Sequence, residues 1–289
     1  MKQIIFFLLL VITITATHAQ QQLTTTPPHL WYKYGYTVGR DIAYFGKSIT
    51  GIGDLNSDGF DDVLIANNNE NKVFLFLGGS PMDTTPYLVF RHGQNNFGRI
   101  VVNLGDIDND GKNDFAIADW ENICLYKGGT LDTVPFTVLQ ATYTTNINGI
   151  GDVNEDSFDD ILLSDVAWNN YQGKAWLYFG GHPMDTIPDW SAVGDSERYW
   201  FGEYVSGKGD VNNDGFKDFV IGGFREVING SYVKLYLGGV NVDTIPKLVF
   251  RQDQLPQDIG IPFIINDLNG DHYDEIAISG DTGIYVYLG

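Results

Sequence analysis

Cysteine is nearly absent from this chain. Cys124 is the single one among 289 residues, so an internal disulfide bond is excluded. Cys124 lies in the apolar stretch 123–126, which predicts a buried thiol on a strand. If the protein is exported, something other than disulfide bonds must make it rigid.

Long apolar runs are also scarce. The longest covers residues 4–14 and is too short for a membrane-spanning helix of roughly 20 residues. Lys2 precedes this run, and the small-x-small sequence Thr17-His18-Ala19 follows it. This layout predicts a secretory signal peptide at 1–19 and a mature domain at 20–289 that is secreted or displayed on the cell surface, without direct membrane insertion.

Basic residues are few. Lysine and arginine number 17 against 37 aspartates and glutamates, a formal net charge of −20. Nucleic acids and anionic lipid surfaces would repel such a chain, so both are excluded as partners.

The acidic residues cluster at a period. Five nine-residue segments share the pattern Asp-x-[Asp/Asn]-x-Asp-x-x-x-[Asp/Glu], and they occupy residues 54–62, 106–114, 152–160, 210–218 and 267–275. An aromatic-glycine pair or its remnant precedes each segment by nine residues, as in Phe45-Gly46. Self-similarity at such spacing is typical of repeat architectures.

Each acidic segment is followed by short apolar runs rich in β-branched and aromatic residues. The pattern after the first segment is 63–66, then 73–77, then Gly-Gly, Asp-Thr-x-Pro and a final run at 87–90. Runs of this length bounded by Gly, Pro and Asp indicate strands. The sequence therefore predicts an all-β fold, a β-propeller of five four-stranded repeats, with no helix outside the signal peptide.

The acidic segments match the ligand chemistry of calcium. Positions 1, 3, 5 and 9 offer side-chain oxygens and position 7 offers a backbone carbonyl, which suits an ion that takes six to eight oxygens. The predicted ligands, for up to five Ca²⁺ ions, are Asp54, Asn56, Asp58, Phe60 and Asp62; Asp106, Asp108, Asp110, Lys112 and Asp114; Asp152, Asn154, Asp156, Phe158 and Asp160; Asp210, Asn212, Asp214, Phe216 and Asp218; and Asp267, Asn269, Asp271, Tyr273 and Glu275.

Two alternatives compete with this calcium hypothesis. An EF-hand needs a bidentate Glu at position 12, where this chain has only Ile or Leu, and it needs flanking helices. Acidic turns without metal would place three or four carboxylates close together without a cation.

Position 6 is glycine in three segments but Ser157 and His272 in the third and fifth, which predicts weaker sites there because a left-handed turn favours glycine.

Motifs of catalysis are missing. The chain has no Gly-x-Ser-x-Gly, no His-Glu-x-x-His and no phosphate loop. Five equivalent acidic copies favour repeated structure over one active site. We therefore expect a non-enzymatic protein, with a calcium-dependent, lyase-like polysaccharide enzyme and a purely structural module of a larger surface protein as alternatives.

The aromatic-glycine pair, the acidic segment and the apolar run together resemble FG-GAP repeats, as in the integrin alpha-subunit propeller and many secreted bacterial proteins. The Gly-Ala-Pro element itself is missing, with Ala66-Asn67 at its first place. The resemblance implies structural calcium in the hairpin between the first and second strands of each blade. It also implies that residues 28–34 supply the fourth strand of the last blade, or that the chain is part of a longer array, since the family usually has seven blades.

Strand alternation places the acidic segments and the Asp-Thr-x-Pro turns on one face of the propeller. The loops of the opposite face are longest at 165–174, 193–200 and 224–231, and they carry Trp168, Tyr171, Tyr199, Trp200 and Arg225. Aromatic and arginine side chains on loops are typical of binding surfaces, although they also pack between blades. We expect a monomeric binding or adhesion module for an extracellular protein or glycan.

Overall fold

The structure is a computed structural model that describes residues 45–93, 95–140, 143–225, 230–252, 259–280 and 283–289. The predicted signal peptide and residues 28–34 lie outside this part of the chain. Among the described residues, no helix is long and apolar enough to cross a membrane.

The chain folds into five consecutive antiparallel sheets, the blades of a β-propeller. The first two blades contain β1 (Phe45–Gly53), β2 (Asp62–Asn67), β3 (Lys72–Phe76), β4 (Leu88–Arg91), β5 (Ile100–Gly105), β6 (Asp114–Ala118), β7 (Asn122–Tyr126) and β8 (Thr137–Gln140). The third and fourth contain β9 (Asn146–Gly151), β10 (Asp160–Asp165), β11 (Lys174–Tyr178), β12 (Trp190–Val193), β13 (Tyr204–Gly209), β14 (Asp218–Arg225), β15 (Gly230–Tyr236) and β16 (Leu248–Arg251). The fifth contains β17 (Ile259–Ile265), β18 (Glu275–Gly280) and β19 (Gly283–Tyr287).

The all-β propeller predicted from the sequence is confirmed. The last repeat supplies three strands in the described part of the chain, in the order β17-β18-β19, and its predicted fourth strand at residues 28–34 lies outside that part. Short helical turns also occur at Asn68–Glu70 and Trp168–Tyr171, where the sequence predicted none. Both turns lie in hairpins between a second and a third strand. The left-handed Asn71 ends the first turn, and the second contains the left-handed residues Asn169, Asn170 and Tyr171, so neither extends.

The first strand of each blade packs against the first strand of the next, in the order β1, β5, β9, β13, β17. This places the first strands innermost. The aromatic-glycine pair lies inside the strand only in the first blade; in the second blade β5 begins at Ile100, after Phe97-Gly98. Gly98 has φ of 86° and approaches the first blade so closely that a Cβ there would lie 2.9 Å from Val73 Cγ2.

The cores lie between adjacent blades rather than within them. Between the first and second blades, Val73, Leu75 and Phe90 pack with Phe115 and Tyr126. The Phe90 ring meets the Tyr126 ring edge-on at 5.0 Å, and Tyr126 stacks on Phe115 at 5.3 Å. Burial of Cys124 in this cluster is confirmed. Since each core needs two blades, a blade is stabilised by its neighbours.

Candidate functional site

All five acidic segments form the hairpin loop between the first and second strands of a blade, as the sequence predicted; the first segment, 54–62, joins β1 to β2. We name them loops one to five in chain order. They therefore lie on the same face of the propeller.

Position 1 organises each loop. Asp54 Oδ1 accepts a hydrogen bond from the Asp58 N–H at 3.0 Å, and Asp54 Oδ2 accepts one from the Gly59 N–H at 2.9 Å. The bond from Gly59 is the main reason that the pKa of Asp54 lies below its usual value. In loop five the His272 N–H lowers the pKa of Asp267 in the same way. In loops one and five, the carboxylate at position 1 is therefore held in its charged form.

In loops one to four, position 9 ties the loop to the chain that follows the third strand of the same blade. Asp160 is buried, and its two oxygens accept hydrogen bonds from the Val153 N–H at 2.7 Å and the Gly180 N–H at 2.9 Å. Burial raises the pKa of Asp160 to about 8, and it raises the pKa of Asp114 and of Asp218 to about 7. Because desolvation disfavours the charged form, a nearby cation would restore the ionised state.

Two loops bring three carboxylates together. In loop two, oxygens of Asp106, Asp108 and Asp114 lie within 4.8 Å of one another, as do those of Asp267, Asp271 and Glu275 in loop five. Asp108 Oδ1 is buried and has no hydrogen-bond partner, while the Lys127 ammonium contacts Asp108 Oδ2. An orphaned, buried carboxylate oxygen within an all-oxygen donor set fits a hard cation such as Ca²⁺.

Every loop except loop two carries Asn at position 3, and its amide donates a hydrogen bond within the loop. Asn56, Asn154 and Asn212 each donate from Nδ2 to the carboxylate at position 5, at 2.8 Å. Holding a cation there would require the amide to present its oxygen instead. The residue at position 7 donates its N–H to the position 5 carboxylate, as Phe60 does to Asp58 at 2.9 Å. The carbonyl of position 7 remains a predicted ligand.

Position 6 adopts a left-handed backbone in every loop. Its φ is 91° at Gly59, 75° at Ser157 and 77° at His272. The sequence analysis missed that position 4 is left-handed too, with φ of 61° at Ser57 and 55° at Asn213. Asn, Ser and Gly at this position in four of the five loops were the available signal. The strain expected at Ser157 and His272 is therefore present, while the affinities that it predicts remain a hypothesis.

The aromatic side chains predicted on the opposite face pack partly on one another. Tyr171 stacks on Trp200 with ring centroids 5.2 Å apart, and the Tyr232 hydroxyl donates to the Tyr199 carbonyl at 3.0 Å. Lys174 Nζ lies 5.5 Å from the Trp168 ring. Tyr171 keeps 44% of its surface exposed. The side chain of Arg225 lies outside the described part of the chain. Packing between loops and an exposed aromatic surface therefore coexist here.

A second surface on this face was missed. Trp120, in the hairpin between β6 and β7, is 43% exposed, and Tyr143 is 63% exposed. Beside them lies a run of asparagines at 67–69, and Asn71, Asn95 and Asn96 follow in the same region. Asparagine is common in turns, so this run carries no functional signal before the hairpins are assembled.

Comparison with known proteins finds similarity to one kind of repeat. Residues 54–117 match the model of the FG-GAP-like repeat. Integrin alpha-5 of Xenopus laevis is 32% identical over 134 residues, which cover 38% of this chain and 13% of that protein. Human integrin alpha-8 is 26% identical over 222 residues, which cover 58% of this chain and 20% of that protein. The chain thus spans a small part of the curated relatives that it matches.

Among solved structures, the crystal structure of BBS1N in complex with ARL6DN, soaked with mercury, covers 89% of this chain and 84% of its own chain. Its TM-score is 0.47 at 11% sequence identity.

Proposed function

Because the chain contains an FG-GAP repeat domain similar to those of integrin alpha chains, we propose that it is an exported, non-enzymatic adhesion module that calcium stabilises and that binds an extracellular protein. The observation that carries the binding function is the exposed Tyr171 ring, which stacks on the half-buried Trp200 on the face opposite the acidic loops. Stacked aromatics with an open surface are typical anchors of protein interfaces.

Calcium is assigned a structural part in this proposal. The acidic loops lie between the first and second strands of every blade, so cations there would tie neighbouring strands together. Three hydrogen bonds between neighbouring loops support this structural role. In each, the backbone N–H of the residue at position 8 of one loop donates to the backbone carbonyl of the residue at position 1 of the preceding loop. The bonds are Asp159 to Asp106 at 3.0 Å, Lys217 to Asp152 at 3.1 Å and Asp274 to Asp210 at 3.0 Å.

The first experiment is thermal melting in calcium, in magnesium and in chelator. We expect calcium to raise Tm by more than magnesium does, since each site occupied at 100 times its Kd adds about 2.7 kcal/mol. Equal melting in calcium and chelator would refute the structural calcium.

The second experiment tests the binding face against a panel of purified extracellular matrix proteins. We expect Tyr171→Ala to weaken binding of any ligand by about tenfold or more, the effect of truncating an aromatic anchor. Tyr87→Ala is the matched control because Tyr87 is 53% exposed and lies just after an Asp-Thr-x-Pro turn, on the acidic-loop face. Wild-type affinity in both variants would place the interface elsewhere.

A further inference from the structure

The Trp120 side chain is held as a rigid platform. The Arg99 guanidinium lies over the indole ring, 4.5 Å from its centroid, and the Arg99 side chain donates to the Thr144 carbonyl. The Trp120 carbonyl accepts the Tyr143 N–H at 3.1 Å. Because Arg99 covers one face of the indole, the exposed surface belongs to the opposite face and the ring edge. The Tyr143 ring stands beside it, with centroids 6.4 Å apart and planes at 51°.

Hydrogen-bonding groups surround this platform on two sides. A cavity of about 420 Å³ is lined by Asn95, Trp120, Glu121 and Tyr143. Asn95 Nδ2 donates to Glu121 Oε2 at 3.0 Å, so these two lining side chains are held together. A second cavity of about 300 Å³ shares Asn95 and Trp120, and its other lining residues are Asn68, Asn69, Asn71 and Asn96.

One of these amides is buried without a partner. Asn68 is 7% exposed, and its Oδ1 atom has no hydrogen-bond partner among the described residues. An unpaired buried acceptor costs free energy, so a ligand that donates a hydrogen bond to it would gain binding free energy. The neighbouring Asn71 is fixed, since it adopts a left-handed backbone with φ of 52° and its Oδ1 accepts the Phe97 N–H at 3.0 Å. The wall is therefore preorganised.

The chemistry of these groups selects a ligand class. Each amide offers donors and an acceptor in one plane, which matches neighbouring hydroxyl groups that both donate and accept. Two exposed aromatic rings suit the C–H face of a pyranose, an apolar surface with a polar rim. The net charge of −20 and the acceptor Glu121 disfavour an anionic sugar.

From this geometry we propose that Trp120, Tyr143, Glu121 and the adjoining asparagines form a binding site for a neutral oligosaccharide. The site joins the first two blades to the start of the third. It lies on the face opposite the acidic loops and apart from the Tyr171–Trp200 stack. The inference rests on the proposed binding function and adds a second class of ligand to it.

The test is an array of neutral and anionic oligosaccharides probed with the folded protein, followed by calorimetric titration of the best neutral ligand. We expect neutral glycans to bind, and Trp120→Ala and Tyr143→Ala each to lose about tenfold or more in affinity. Tyr87→Ala is the matched control for Tyr143→Ala and should bind as the wild type does. Unchanged Tm of each variant shows that the fold is retained.

Three results would overturn the proposal: no neutral glycan bound by the folded protein, binding by anionic glycans only, or unchanged affinity in both Trp120→Ala and Tyr143→Ala. The proposed protein-binding function fails separately. If a matrix protein binds through Tyr171 while no glycan does, only the oligosaccharide site is wrong. Loss of a bound matrix protein in Trp120→Ala but not in Tyr171→Ala would assign this surface to a peptide instead.

Discussion

The first four blades and the fifth carry the same apolar pattern but bury it very differently. Ile123 on the third strand of the second blade is 1% exposed, whereas the equivalent Ile284 of the fifth blade is 71% exposed. The next residue on the same side of each strand shows the same contrast in exposed fraction, with Leu125 at 0% and Val286 at 47%. The same holds at position 2 of the acidic loops, where Ile107 is 0% exposed and Leu268 is 67% exposed.

The difference comes from the neighbour, not from the strand. In the second blade, Ile123 and Leu125 pack with Ile161, Leu163 and Tyr178 of the third blade. Among the described residues, no blade follows the fifth, and no comparable contact joins β17 to β1. The alternation of side chains therefore specifies which face of a blade is apolar, while burial of that face requires the next blade.

The largest expected effect tests this comparison directly. Ile123→Ala should lower the free energy of unfolding by about 2–5 kcal/mol, because it opens a cavity in a closed core. Ile284→Ala removes the same atoms at the equivalent position and should change it by less than about 0.5 kcal/mol. Urea denaturation of both variants measures the contrast. Equal losses would mean that the apolar face of the fifth blade is covered in solution.

The second prediction compares calcium in loop four with calcium in loop five. Asp214→Ala in loop four should lower stability in excess calcium by about 2–3 kcal/mol, the contribution of one site at 100 times its Kd. Asp271→Ala in loop five should cost less than about 1 kcal/mol, because a blade with an exposed third strand opens locally without unfolding the rest. Chemical denaturation in calcium gives both values.

Chelator is the control for this pair, since the two variants should then unfold close to the wild type. A larger loss for Asp271→Ala than for Asp214→Ala would contradict the predicted order. It would also favour loop five, whose carboxylates already converge, as a strong site.

The smallest effect concerns the left-handed residue at position 6. Ser157→Gly should stabilise the protein by about 1 kcal/mol, because it removes the side-chain penalty at a φ of 75°. His272→Gly relieves the same conformation in the more exposed fifth blade and should raise global stability less. Differential scanning calorimetry resolves both shifts. A lower Tm in Ser157→Gly would show that the serine side chain makes a compensating contact.

Much of the fold could be predicted from the sequence because each repeat encodes it locally. Strand-length apolar runs such as 63–66 and 161–164, bounded by Gly, Pro and Asp, occur where β2 and β10 lie. The left-handed residue at position 6 was also predictable from Gly59 and Gly111. The burial of Asp160 and its two backbone hydrogen bonds were not, because the Gly180 N–H follows the third strand of the blade, 20 residues further along the chain.

The sequence by itself determined the number of repeats, the strand pattern within each blade and the acidic composition of the loops, since these depend on residues close together in the chain. Only the tertiary structure decided which apolar faces are buried, because the partner of each face belongs to the next blade. It also brought Trp120, Tyr143 and the asparagines together, since their hairpins come from different blades. Contacts of this kind depend on how blades pack, and no local pattern encodes them.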